Sequence, residues 1–119
     1  MVVTVNSYFN PFRMKLSSRE PVQLSIELKN DGNEDKIVSM QVLLSKQLSF
    51  GKGGYQTEEM VRLPKLAPGE RKQYYYEVWP KTGTRTEDQP VKIKIAEHYK
   101  NFNYVMKEYA YNLSLRVDE

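Results

Sequence analysis

The sequence predicts an all-β fold, a single antiparallel β-sandwich of about seven strands in two sheets. Three observations carry that expectation. Apolar residues recur at every second position in run after run, the period of a strand with one buried face. Clusters of Gly, Pro, Asn and Asp separate the runs at intervals of roughly ten to fifteen residues, the spacing of a sandwich. No window of about twelve residues carries an apolar stripe at helical period.

The first run, Val2 to Tyr8, is rich in β-branched residues and stops at Asn10-Pro11, because proline cannot donate to a ladder. That suits an edge strand. Pro21 opens the clearest strand, in which Val22, Leu24, Ile26 and Leu28 alternate with Gln23, Ser25, Glu27 and Lys29. Asn30-Asp31-Gly32-Asn33 then reads as a hairpin turn, with positive φ available at Gly32 or an Asn. The next strand runs from Lys36 to about Lys46, with Val38, Met40, Val42 and Leu44 inward.

Phe50-Gly51-Lys52-Gly53-Gly54-Tyr55 is too glycine-rich for regular structure and reads as a long loop. A short strand, Met60 to Leu63, leads into Leu66-Ala67-Pro68-Gly69-Glu70. There Pro68 presets φ and Gly69 takes the positive-φ position of a type II turn. From Arg71 to Trp79, Tyr74, Tyr76 and Val78 lie on one side and Tyr75, Glu77 and Trp79 on the other. The polar stretch Pro80 to Pro90 turns around Lys81-Thr82-Gly83-Thr84. Val91, Ile93 and Ile95 then alternate with Lys92, Lys94 and Ala96. Lys100-Asn101-Phe102-Asn103 closes a hairpin into a last strand carrying Tyr109, Tyr111, Leu113, Leu115 and Val117 inward. Its length suits a strand paired on both sides.

At 119 residues the chain matches one domain, residues 1–119, with a single core. With 39% hydrophobic and 28% charged residues it reads as globular. Absence of cysteine excludes disulfides, thiolate metal sites and thiol nucleophiles. Eighteen basic against fifteen acidic residues make a mixed surface, weaker than the usual nucleic-acid footprint. No apolar run approaches the ~18 residues of a membrane span. Met1-Val2-Val3-Thr4-Val5-Asn6 has no signal-peptide pattern, so a full-length chain is expected in the cytoplasm and an excised domain at the cell surface.

Two stretches carry a resemblance: Pro21 to Asp35, a strand followed by Lys-Asn-Asp-Gly, and Leu63 to Glu70, ending in Leu-Ala-Pro-Gly-Glu. With the alternating closing strand they resemble the CARDB group, immunoglobulin-like β-sandwich domains of bacterial and archaeal proteins. The resemblance implies an immunoglobulin-like sandwich and no shared catalytic residues. The loop at Phe50 to Tyr55 and the tyrosine content depart from that pattern.

Catalytic constellations are weak. His98 is the sole histidine, expected outward on a strand near a hairpin, or as a pH-sensitive surface contact, and too few ligands accompany it for a metal site. No serine sits in a Gly-x-Ser-x-Gly elbow. Glu58-Glu59, Glu87-Asp88 and Asp118-Glu119 are strand or turn neighbours whose carboxylates diverge. Asp31, Asn33 and Asp35 lack the remaining ligands of a calcium loop. Gly51-Lys52-Gly53-Gly54 lacks the spacing and the helix of a P-loop. No catalytic residue, cofactor or metal is assigned.

Tyrosine is the oddity: nine residues, three of them consecutive at Tyr74-Tyr75-Tyr76. A strand must expose at least one ring of that triplet, and Tyr75 shares its face with Trp79. The expected function is therefore a non-enzymatic protein-interaction or spacer module. It would bind a protein partner, or itself as a two-fold homodimer, through a sheet edge or the aromatic face. The candidate contact residues are Tyr75, Trp79, Phe50, Lys52 and Tyr55. The alternative is a nucleic-acid, polyanion or glycan binder using Lys92, Lys94 and Lys100 with the aromatics.

Overall fold

The computed structural model describes residues 3–52, 54–81 and 84–119. Met1, Val2, Gly53, Thr82 and Gly83, used in the readings above, lie outside them. Nine strands follow in order: β1 (Val3–Asn10), β2 (Arg13–Lys15), β3 (Val22–Asn30), β4 (Lys36–Leu44), β5 (Leu48–Ser49), β6 (Glu58–Leu66), β7 (Arg71–Pro80), β8 (Asp88–His98) and β9 (Val105–Asp118). They form a four-stranded sheet, β1-β3-β7-β5, and a five-stranded sheet, β2-β9-β8-β4-β6. Every pairing is antiparallel except β2 with β9, which is parallel. This is an immunoglobulin-like β-sandwich.

Side-chain alternation puts one row of each strand between the sheets. Leu24, Ile26 and Leu28 of β3 meet Val38, Met40 and Val42 of β4, Ile93 and Ile95 of β8, and Leu115 and Val117 of β9, all buried in one core. Each such aliphatic side chain, fully buried, stabilises by ~1.5–3 kcal/mol. Tyr74, Tyr76, Tyr109 and Tyr111 pack against this core with their rings half-buried.

Two strands escape sequence reading. β2 and β5 have three and two residues, too few to show a period. After Asn10-Pro11, whose peptide bond is cis, the chain leaves the four-stranded sheet and pairs through β2 with β9 of the other. Pro11 does end β1, and β1 is an edge strand. The short strand expected at Met60 to Leu63 is longer, nine residues from Glu58 to Leu66.

Two expectations are corrected. Asn30 to Asp35 is not a hairpin, since β3 and β4 lie in different sheets. Gly32 keeps negative φ, the only glycine with positive φ among the described residues being Gly69 at 76°. A side chain, not backbone twist, holds the crossing. The buried Asn30 amide donates to the Glu34 and Leu66 carbonyls, both at 2.8 Å, and its Oδ1 accepts the Gly32 N–H at 2.9 Å. The last strand is also not paired on both sides along its length. β8 pairs with it from Val105 to Arg116, but β2 covers only Arg116–Asp118.

Other turns follow local chemistry. At Ala67-Pro68-Gly69-Glu70 the Glu70 N–H donates to the Ala67 carbonyl at 2.9 Å, closing the turn with Gly69 in its left-handed place. The Glu70 carboxylate caps it by accepting the Ala67 N–H at 2.8 Å. The hairpin between β8 and β9 forms around Lys100, itself at φ 66°.

Candidate interaction surfaces

Three surfaces remain once the core is accounted for: the outside of each sheet, and the strand edges. On the four-stranded sheet, pairing register lines up Tyr8, Ser25 and Tyr75 across β1, β3 and β7. Tyr75 is 59% exposed and Tyr8 comparably so, while Ser25 between them is buried with its hydroxyl unpartnered. Farther along β7, Lys52 Nζ lies 5.8 Å from the Trp79 ring centroid. Lys81 Nζ lies 5.5 Å from the ring of Tyr55, which is 86% exposed. Tyr75, Trp79, Lys52 and Tyr55 therefore do belong to the outer side and one end of this sheet.

Phe50 does not. Its ring centroid sits 5.5 Å from that of Tyr76, on the inward side of β7, and it packs against the core. The loop folds back because the Phe50 N–H donates to the Gln56 carbonyl at 2.8 Å and Gly54 N–H to Gly51 at 3.0 Å. Glycine content hid this, since a loop's one inward aromatic leaves no periodic trace.

On the five-stranded sheet, Lys92 is exposed and Lys94 Nζ lies 3.7 Å from Glu108. Lys100, at the hairpin, lies over the Tyr99 ring at 5.3 Å. These lysines face away from Tyr75 and Trp79, because the two outer faces of a sandwich point in opposite directions. The polyanion set drawn from the sequence is thus split between two sheets.

His98 is on this outer side but is no surface residue. It is 8% exposed, beneath the Phe102 ring at 5.2 Å, with Nε2 2.7 Å from Ser39 Oγ. Arg62 in turn stacks over Phe102 at 5.7 Å. Beside this stack lies a shallow depression of about 210 Å³, bordered by Met60, Arg62, Val105 and Glu108. Among the described residues no three His, Asp or Glu side chains cluster to hold a metal. Asp31 accepts the Thr4 hydroxyl and pairs with Lys29, which holds its carboxyl below the usual range, and Asp35 pairs with Lys65.

The third surface is an edge that pairing alone reveals. Val117 N–H donates toward β8, to the Glu87 carbonyl, whereas the Asp118 carbonyl accepts the Leu16 N–H on the opposite side. Because backbone groups alternate sides along a strand, Glu108, Ala110, Asn112 and Ser114 point theirs away from β8. Among the described residues no strand lies beside them. The open stretch runs from Val105 to Leu115 and contains no proline. Its hairpin end exposes Tyr104, Val105 and Met106.

No family model matches the sequence, and no curated protein matches it. Solved structures do match in shape. The chain is similar to BcpA, the major pilin subunit of Bacillus cereus, with a TM-score of 0.67, 11% identity and 98% of this chain covered. It spans 40% of that subunit's length. It is similar to a chain of the human seminal-plasma complex of zinc 2-glycoprotein and prolactin inducible protein, at TM-score 0.62 and 9% identity, covering 99% of this chain and 95% of that one. It is also similar to AvmM, which catalyses macrocyclization in alchivemycin A biosynthesis, at TM-score 0.60 and 9% identity, covering 99% and 89%. These likenesses establish the fold. A pilin subunit, a seminal-plasma complex and a catalyst share it, so function must be argued from the surfaces.

Proposed function

We infer that this chain is a non-enzymatic interaction module that engages a protein partner by strand addition along the open edge of β9. The carrying observation is the row of backbone groups at Glu108, Ala110, Asn112 and Ser114 that no described residue pairs. Unpaired edges template extended segments, main-chain hydrogen bonds giving affinity and alternate side chains giving selectivity. Natural sandwiches block edges that must stay free with proline, charge or bulges. The β6 edge has such protection in Pro64, Glu58, Arg62 and Lys65; on β9 the charges Lys107 and Glu108 and the irregularity at Met106 are confined to the hairpin end, and Tyr109 to Leu115 carries neither proline nor charge nor bulge. The CARDB likeness belongs to the same reading, supported by the type II turn at Ala67–Glu70.

The test uses random eleven-residue peptides displayed on phage and selected against the folded chain. Asn112→Pro removes one outward N–H without touching a bond of the fold, because proline is tolerated where the N–H side of an edge is open. Peptides with period-two patterns that bind the parent chain and not the Asn112→Pro variant are expected. Recovery of none, or equal binding to both, would overturn the reading.

A second reading rests on the Lys52–Trp79 and Lys81–Tyr55 pairs, which put two cations and two rings at one end of the four-stranded sheet. Stacked aromatics beside lysines suit a polyanion or glycan. It requires salt-dependent retention on heparin that Trp79→Ser weakens and Lys92→Ser leaves unchanged.

A further inference from the structure

We propose that the occupant of the β9 edge is a second copy of this chain, paired antiparallel about a two-fold axis through Ala110. The proposal rests on the strand-addition reading above and supplies its partner. Three features favour a copy of the same strand. First, β9 is regular from Lys107 onward, and a two-fold through Ala110 pairs Lys107 to Leu113 of each copy within that regular part of the open stretch. β2 closes the edge beyond it by pairing from Arg116 onward.

Second, the register is compatible with the hydrogen bonds. Even-numbered residues carry the open groups, so Ala110 faces the partner's Ala110, and Glu108 faces the partner's Asn112, each pair exchanging two bonds. Third, the side chains match. A two-fold puts each residue opposite one whose numbers sum symmetrically about 110. Lys107 thus meets the partner's Leu113 and Glu108 meets the partner's Asn112, so no like charges oppose one another. A pairing shifted to centre on Glu108 would set two carboxylates face to face.

The same operation brings the exposed hairpin end, Val105 and Met106, 54% and 56% accessible, toward the partner's Leu115 and Ser114, beyond the irregularity at Met106 where regular pairing ends. The β1 edge is a poorer seat. It is eight residues long, and its Val3 carbonyl already accepts the Tyr109 hydroxyl. Closed two-fold pairing also consumes the edge, leaving no β9 template for further addition.

The chain lacks cysteine, so single labels need no background removal. Nitroxide-labelled Ala110→Cys, Asn112→Cys and Ser114→Cys should give inter-copy backbone separations that grow with distance from the axis. The offsets along the strand are about 0, 13 and 26 Å, from a rise of about 3.3 Å per residue. Sedimentation equilibrium should show a dimer whose dissociation constant rises roughly 10–100-fold in Asn112→Pro, which loses two hydrogen bonds per dimer. Ala110→Lys, which sets two ammonium groups together at the axis, should also dissociate it should the proline variant misfold. A monomer at millimolar concentration, or separations that do not follow this series, would overturn self-pairing. If peptides still bind the edge in that case, the interaction reading stands and only its occupant is wrong. If neither binds, both fall.

Discussion

The Tyr109 hydroxyl donates to the Val3 carbonyl at 2.9 Å, tying the last strand of one sheet to the first strand of the other. The same oxygen lies 3.1 Å from Glu97 Oε2, a carboxylate buried in β8 and 3.8 Å from Lys36 Nζ. One phenol thus serves a backbone acceptor at the rim of the sandwich and a buried anion. Its burial and the nearby Glu97 charge push its ionisation well above the usual tyrosine range.

Tyr109→Phe keeps the ring and removes only the hydroxyl. The Val3 carbonyl and Glu97 then each lose a partner, and the expected cost is about 1–2 kcal/mol. Urea unfolding checks this, with the midpoint falling and the slope unchanged.

Alkaline instability follows from the same group and from Tyr76. Burial first, then the charge of Glu59 and of Tyr74, pushes Tyr76 up to about 12. Both tyrosines are favoured neutral in the folded state, so their contribution is whole below about pH 10, the unfolded value, and is lost as pH rises through the folded values. Stability should fall above pH 10. Absorbance at 295 nm should show these phenols ionising together with loss of the folded circular dichroism signal. Smooth titration of all nine tyrosines near pH 10 with the fold intact would contradict it.

Asn30 predicts a larger effect than any ordinary turn residue. Its amide satisfies two carbonyls and its oxygen one N–H, at the crossing between the sheets. Asn30→Ala should cost about 2–4 kcal/mol, because the Leu66 carbonyl is left buried without a donor. Asn30→Asp should be worse near neutral pH, since a carboxylate would face two carbonyl oxygens. Thermal unfolding of the two variants ranks them.

Tyr75→Ser should change stability by about 0.5 kcal/mol or less, the ring being mostly in water. Trp79→Ser should cost more, because that ring is half-buried beneath Lys52. Loss of cooperative unfolding in Tyr75→Ser would show that the outer aromatic row supports the fold.

Much of the interior was legible in the sequence. Leu24, Ile26, Val38, Met40, Ile93, Ile95 and Leu115 are buried as period two requires, and Tyr75 is exposed as the triplet demands. Gly69 adopts its left-handed conformation because Pro68-Gly69 leaves few alternatives. Phe50, His98 and Asn30 were misplaced for one shared reason. Asn30 and His98 end their strands and Phe50 follows β5 in a loop, and what decides each environment is another segment's contact: Leu66 for Asn30, Ser39 and the hairpin's Phe102 for His98, and Tyr76 for Phe50.

Alternation along each strand was thus a local property, fixed by where the apolar residues fall, and it determined which side chains make the interior. Which strands share a sheet was not local. Asn30-Asp31-Gly32 can turn a chain back within one sheet or carry it to the other, and only the hydrogen bonds of remote partners choose. The open edge of β9 exists because β2 begins only at Arg13, opposite Arg116, the chain before it being paired with β3 in the other sheet, and no period in either strand encodes that.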